Sequence, residues 1–142
     1  MRFWDTSALI PLFLPELYTV RAEAWLRSDP DVTVWAFTRV EILSAISRRG
    51  REERAAVELL EAARREVFDS WQQWTEVNDL RAVRQYAERV IEIHPLRAAD
   101  ALQLGAALVA AEGEPSTLEF VTLDRRLAGA AQREGFPVFG PA

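Results

Sequence analysis

Short apolar runs of strand composition alternate along this chain with longer segments of helical spacing, and that alternation restricts the fold more than any other feature. Arg2 to Asp5, Val32 to Trp35, Leu118 to Leu123 and Pro137 to Phe139 read as short strands. Trp71 to Glu76 admits one more, with Trp71, Gln73 and Thr75 alternating against Gln72, Trp74 and Glu76. Thr6 or Ser7 can cap the segment after the first strand, and Pro11 and Pro15 are expected to break it. Helical spacing covers Glu16 to Arg27, Thr38 to Arg49 with a stop at Gly50, Arg51 to Phe68, and Asn78 or Asp79 to about Ile91. Leu96 to Ala111 is apolar almost all round, which predicts a central, buried helix, and Arg125 to Arg133 is a last helix ended by Gly135. Strands alternating with helices in this way predict one α/β domain over residues 1–142, a sandwich built on a mainly parallel sheet. In such sheets the functional crevice lies beyond the carboxyl ends of the strands.

Absences narrow the chemistry. The chain has no Cys and no Lys, and all 17 basic residues are Arg. Thiolate catalysis, zinc–thiolate sites, Schiff bases and a phosphate-loop lysine are therefore excluded. The single imidazole, His94, cannot supply the paired acid and base of a metal-free ribonuclease, and the six Gly form no phosphate-cradling cluster. Carboxylates, hydroxyls and guanidinium groups remain. The net charge of −5 argues against bulk coating of nucleic acid, but a cluster of acids that binds a cation would contribute to that charge. No apolar stretch approaches a membrane span and no signal-peptide core follows Met1, so a cytoplasmic location is expected.

Four acids abut the most apolar stretches of the chain: Asp5, Glu41, Asp100 and Asp124. Each has a structural explanation. Asp5 and Asp124 are placed to cap the helices that follow them, and Thr38-Arg39-Val40-Glu41 spells a capping box. Asp100, about a turn into the apolar helix, is harder to assign to a cap. Together they fall where the crevice of a parallel sheet should be. Neighbouring carboxylates about 4 Å apart repel by roughly 1–4 kcal/mol per pair, so such a cluster calls for a cation or raised pKa values. Oxygen donors without His or Cys select Mg²⁺ or Mn²⁺.

Asp5-Thr6-Ser7-Ala8-Leu9, Glu41-Ile42-Leu43-Ser44-Ala45, Leu96-Arg97-Ala98-Ala99-Asp100-Ala101-Leu102-Gln103-Leu104 and Thr122-Leu123-Asp124 resemble the successive motifs of the PIN-domain nucleases, with the VapC-type toxins of toxin–antitoxin pairs as the nearest likeness. The likeness spans essentially the whole chain and says little between Arg51 and Asn78. It implies a PIN-like three-layer sandwich with a five-stranded sheet in order 3-2-1-4-5. It also implies a Mg²⁺- or Mn²⁺-dependent endoribonuclease, a homodimer, held inactive by a cognate antitoxin. The family's acids fall on Asp5, Glu41, Asp100 and Asp124, and the hydroxyl two residues before the last acid falls on Thr122.

On this reading Asp5 and Asp100 are the most direct metal ligands, Glu41 and Asp124 complete the site, and Thr6, Ser7 and Thr122 orient the carboxylates. Arg39, Arg97 and Arg125 are candidates for RNA contact, Arg126 follows Arg125, and Arg48, Arg49, Arg51 and Arg54 form the densest basic patch. Trp71, Trp74 and Tyr86 are either core or base-stacking platforms, and His94 is expected to cap or pack. The apolar run Leu9, Ile10, Leu12, Phe13 and Leu14 is either core or an interaction surface for an antitoxin or a dimer mate. Two other readings stay open: a catalytically silent PIN-like binding module, and a nuclease acting on DNA. A phosphoacceptor domain with Asp5 as nucleophile lacks the Lys it would need.

Overall fold

The protein is described from a computed structural model covering residues 1–53 and 56–141. β1 (Arg2–Trp4) leads into α1 (Thr6–Phe13) and α2 (Thr19–Ser28); β2 (Val32–Trp35) leads into α3 (Thr38–Glu53) and α4 (Val57–Trp71). β3 (Thr75–Val77), α5 (Leu80–Ile93), α6 (Ala98–Ala110), β4 (Glu119–Val121), α7 (Arg125–Glu134) and β5 (Val138–Phe139) follow. The sheet runs β3-β2-β1-β4-β5 with every neighbouring pair parallel. All carboxyl ends therefore share one edge, and α1, α3 and α7 begin there.

Alternation along each strand builds the two faces. Phe3, Trp35 and Phe120 point into one core with α5, α6 and α7. Their neighbours Trp4, Val34 and Val121 point into the other, with Leu9 and Ala22 and with Ile42, Ile46 and Val67 of α3 and α4. Small residues let α6 enter the first core deeply. At Gly105 a Cβ would stand 2.7 Å from the Val83 carbonyl oxygen of α5, so only Gly permits that approach. The buried α6 thus brings Asp100, in its first turn, to the carboxyl edge of the sheet.

Several boundaries differ from those the sequence predicts. Pro11 lies inside α1 and is itself buried, as are Ala8 and Leu9 of the same helix. α3 runs through Gly50 to Glu53, and α4 starts at Val57; Arg54 and Ala55 lie outside the described residues. At Gly50 a Cβ would meet only the tip of the Leu60 side chain, at 2.6 Å. Trp71 closes α4 and leaves only Thr75–Val77 to pair as a strand. The end of α7 is as expected, with Gly135 at φ 107° taking the left-handed cap. Among the described residues no helix is long and apolar enough to cross a membrane.

Candidate active site

Asp5 follows β1 directly, so its position is set by the centre of the sheet. It caps α1 and is 4% exposed. The Ser7 hydroxyl, the Thr122 hydroxyl at 2.8 Å and the Ser7 amide at 3.2 Å all donate to the same oxygen, Oδ2. Ser7 Oγ in turn accepts the Leu123 amide at 2.9 Å, and Thr122 Oγ1 accepts the Asp124 amide at 3.0 Å. The loop after β4 is thereby tied to the start of α1. Burial pushes the Asp5 carboxyl up from 3.8 to about 6 against the opposing pull of the Ser7 and Thr122 bonds, and Asp100 adds a smaller push.

Glu41 does not close the capping box spelled by the sequence. Its amide donates to the Phe37 carbonyl at 3.2 Å, so the helix begins one residue earlier than a Thr38 cap would require. Its Oε1 accepts instead from the Thr6 hydroxyl at 3.1 Å and from Gln103 Nε2 at 2.8 Å. Burial raises its pKa, those two bonds lower it, and Asp100 raises it further. Asp124 caps α7 through Oδ1, which accepts the Leu127 amide at 2.9 Å. Asp5, Glu41 and Asp124 share one design: protein donors fix one carboxylate oxygen, and no donor among the described residues claims the other.

Asp100 is the common member of the group. Its pKa is raised by burial first and by Asp124 second, while the Arg97 amide, the Arg97 guanidinium and Arg126 pull it down. Asp5 and Glu41 both feel its charge. Asp100 and Asp124 line an open crevice of about 600 Å³ with Arg97, Arg125 and Arg126. Thr6 and Glu41 line another depression with Val40, Ser44 and Arg48. Among the described residues no three acidic or imidazole side chains stand close enough together to hold one ion in the positions they occupy. The donor set nevertheless fits a hard divalent ion. It is all oxygen, it is mutually repulsive, and Mg²⁺ is commonly held by one or two carboxylates while keeping several waters.

The remaining candidates divide. Arg97 and Arg125 are exposed at the crevice, whereas the Arg39 guanidinium lies over the Phe68 and Trp71 rings at 4.9 and 5.5 Å. Trp71 is core, with its Nε1 donating to Glu76 at 2.9 Å, Trp74 is half-buried against it, and Tyr86 packs on the core near α6. These aromatics therefore serve packing. His94 is buried and bonded to Glu134 at 2.7 Å, as a packing residue should be. Leu9 and Leu14 are core, while Leu12, Phe13 and Leu14 also line a cavity of about 340 Å³ with Leu59 and Leu60. Arg48 and Arg51 are exposed, and Arg54 lies outside the described residues. The residue given no role from sequence is Gln103, whose amide reaches Thr6, Thr38 and Glu41. Its signal was present: Asp100 and Gln103 are the polar side chains of the Ala98 to Ala111 segment, three residues apart on one helical face.

A parallel 3-2-1-4-5 sheet with acids from α3, α6 and the ends of β1 and β4 at one edge defines an α/β protein of a particular kind. The PIN domain family profile matches residues 2–133, and the chain belongs to that family. No curated protein sequence matches it. Among solved structures, a toxin–antitoxin complex from Klebsiella pneumoniae is similar at 17% identity and TM-score 0.71, covering 100% of this chain and 98% of that one. FitAcB from Neisseria gonorrhoeae is similar at 21% identity and TM-score 0.62, covering 98% and 96%. FitAB bound to a DNA fragment is similar at 19% identity and TM-score 0.56, covering 99% and 95%. At such identities the likeness is one of fold.

Proposed function

We propose that this protein is a divalent-metal-dependent endoribonuclease, the toxin of a toxin–antitoxin pair, hydrolysing RNA phosphodiester bonds. The observation that carries the reading is the acid edge. Three carboxylates each keep one oxygen fixed and one available, around an Asp100 whose charge reaches Asp5, Glu41 and Asp124. Asp5, Glu41, Asp100 and Asp124 would hold Mg²⁺ or Mn²⁺, directly or through water. Once bound, the ion supplies Lewis acidity toward the phosphate and toward an attacking water.

The chain's own groups do the rest. Ser7 and Thr122 hold Asp5 in one orientation, and Thr6 with Gln103 does the same for Glu41. Arg97 and Arg126, beside Asp100 and Asp124, offer charge-assisted donors to the phosphates flanking the scissile bond. His94, bonded to Glu134, is not placed to shuttle protons here, which leaves the carboxylates to orient water.

Membership of the PIN family, together with likeness in fold to a toxin–antitoxin complex, supports the toxin assignment. The apolar cavity between the end of α1 and α4 then suits a cognate antitoxin, and the working form is a cytoplasmic homodimer. The test is cleavage of total RNA and of single- and double-stranded DNA with Mg²⁺ or Mn²⁺, comparing wild type with Asp100→Ala. RNA cleavage lost in the variant and on chelation is expected. Cleavage of DNA alone would favour the DNA reading suggested by the DNA-bound FitAB, and no cleavage of either would leave a binding module.

A further inference from the structure

Gln103 is 1% exposed, on α6 one turn after Asp100. Its Nε2 stands 2.9 Å from Thr6 Oγ1 on α1, and 2.8 Å from both Thr38 Oγ1 and Glu41 Oε1 on α3. Thr6 also donates to Glu41 Oε1, which closes a ring of three side chains from three helices. Glu41, when ionised, accepts only, so it dictates that the amide nitrogen faces it. The consequence is unfavourable for Gln103 itself. Its two N–H groups serve three acceptors, and its buried Oε1 has no partner among the described residues. A buried amide whose nitrogen meets three acceptors on two neighbouring helices is explained by what that nitrogen holds in place.

We infer that Gln103 is a positioning residue for the metal site. It locks Glu41 Oε1 to α1 and α6, so that the second Glu41 oxygen is presented at a set distance from Asp100 and Asp5. The inference rests on the proposed metal-dependent function. It extends that function to a residue that touches neither ion nor substrate and acts only through Glu41. Outer-shell partners of metal-binding carboxylates typically contribute 10–100-fold in affinity, roughly what a near-isosteric Gln103→Met change should forfeit.

The experiment is a double-mutant cycle read by Mn²⁺ binding to metal-free protein in calorimetry, with thermal unfolding of the same samples. Wild type, Q103M, E41Q and Q103M/E41Q are compared, and Thr6→Val tests the same link without altering α6. Q103M should weaken Mn²⁺ binding about tenfold, with a modest fall in melting temperature from the donor lost at Thr6, Thr38 and Glu41. In the E41Q background Q103M should add nothing, and T6V should show a smaller loss that likewise vanishes there. An equal loss from Q103M in both backgrounds, or none in either single variant, overturns the role of Gln103 while leaving the metal site standing. Should wild type fail to bind Mn²⁺, or E41Q bind as wild type does, the reading of the site itself fails and the role of Gln103 falls with it.

Discussion

The acid edge has two halves built on different principles. Asp5 and Glu41 are held by neutral donors, Ser7, Thr122, Thr6 and Gln103, packed around oxygens that burial has made reluctant to ionise. Asp100 and Asp124 sit in the open crevice among Arg97, Arg125 and Arg126. Hydroxyls and amides fix geometry without neutralising charge, so the first half keeps its demand for a cation. Guanidinium groups soften that demand and add attraction for an anion, which suits the second half to the substrate. On the proposed function, one half would set positions and the other would receive the phosphate chain.

The largest expected effect breaks the first half. Asp5→Asn keeps an acceptor for Ser7 and Thr122 but removes the charge, so metal-dependent RNA cleavage should fall by more than the ~10–100-fold of an outer-shell loss. The same variant should be more stable than wild type in chelator. Below 3.8 both folded and unfolded forms hold the Asp5 proton. Between 3.8 and about 6 only the folded form holds it, so wild-type stability falls as pH rises through that window. At roughly 1.4 kcal/mol per pH unit the penalty reaches about 3 kcal/mol above the folded value. Urea denaturation of wild type and D5N at about pH 4 and pH 8 should show a gap that opens only at the higher pH. A gap of the same size at both would mean that Asp5 is not strained by its burial.

Asp100→Ala tests whether the halves are joined. Because Asp100 raises the pKa of both Asp5 and Glu41, its removal should lower theirs while abolishing cleavage. Carboxylate titration by NMR at Asp5 is the readout, and an unmoved Asp5 would separate the halves. Smaller effects are expected from the second half. Arg97→Ala and Arg126→Ala should each raise KM about tenfold with kcat little changed, as loss of one charge-assisted phosphate contact would. They should also flatten the salt dependence of RNA binding by roughly 0.7 in the log–log slope per contact. The smallest change belongs to Arg39→Ala, whose guanidinium is engaged by Phe68 and Trp71. It should lower stability by about 1 kcal/mol and leave KM unaltered.

The alternation of strand and helix was legible in the sequence because period 2 and period 3.6 are local properties of the chain. β2 matches its predicted bounds residue for residue, and β1 and β4 shorten only at their ends. The misread boundaries share a cause. Gly50 and Pro11 carry strong local signals that the fold overrides: α3 runs on to Glu53, and Pro11 sits buried within α1. Glu41 is the instructive case in the site. Its capping-box spelling is locally sound, but the partners that claim its carboxylate lie 35 and 62 residues away.

By itself the sequence determined which chemistry was possible, since a chain with one His and neither Cys nor Lys has carboxylates and guanidinium groups to work with. It also determined the parallel sheet and the placing of Asp5 and Asp124 at strand ends, because those follow from order along the chain. Only the tertiary structure decided which oxygen of Asp5, Glu41 and Asp124 is fixed, and that Asp100 links the others. It alone showed that a glutamine in an apolar helix holds one carboxylate in place. Such contacts join residues remote in sequence, and hydrogen bonds a few ångströms long leave no periodic trace along the chain that makes them.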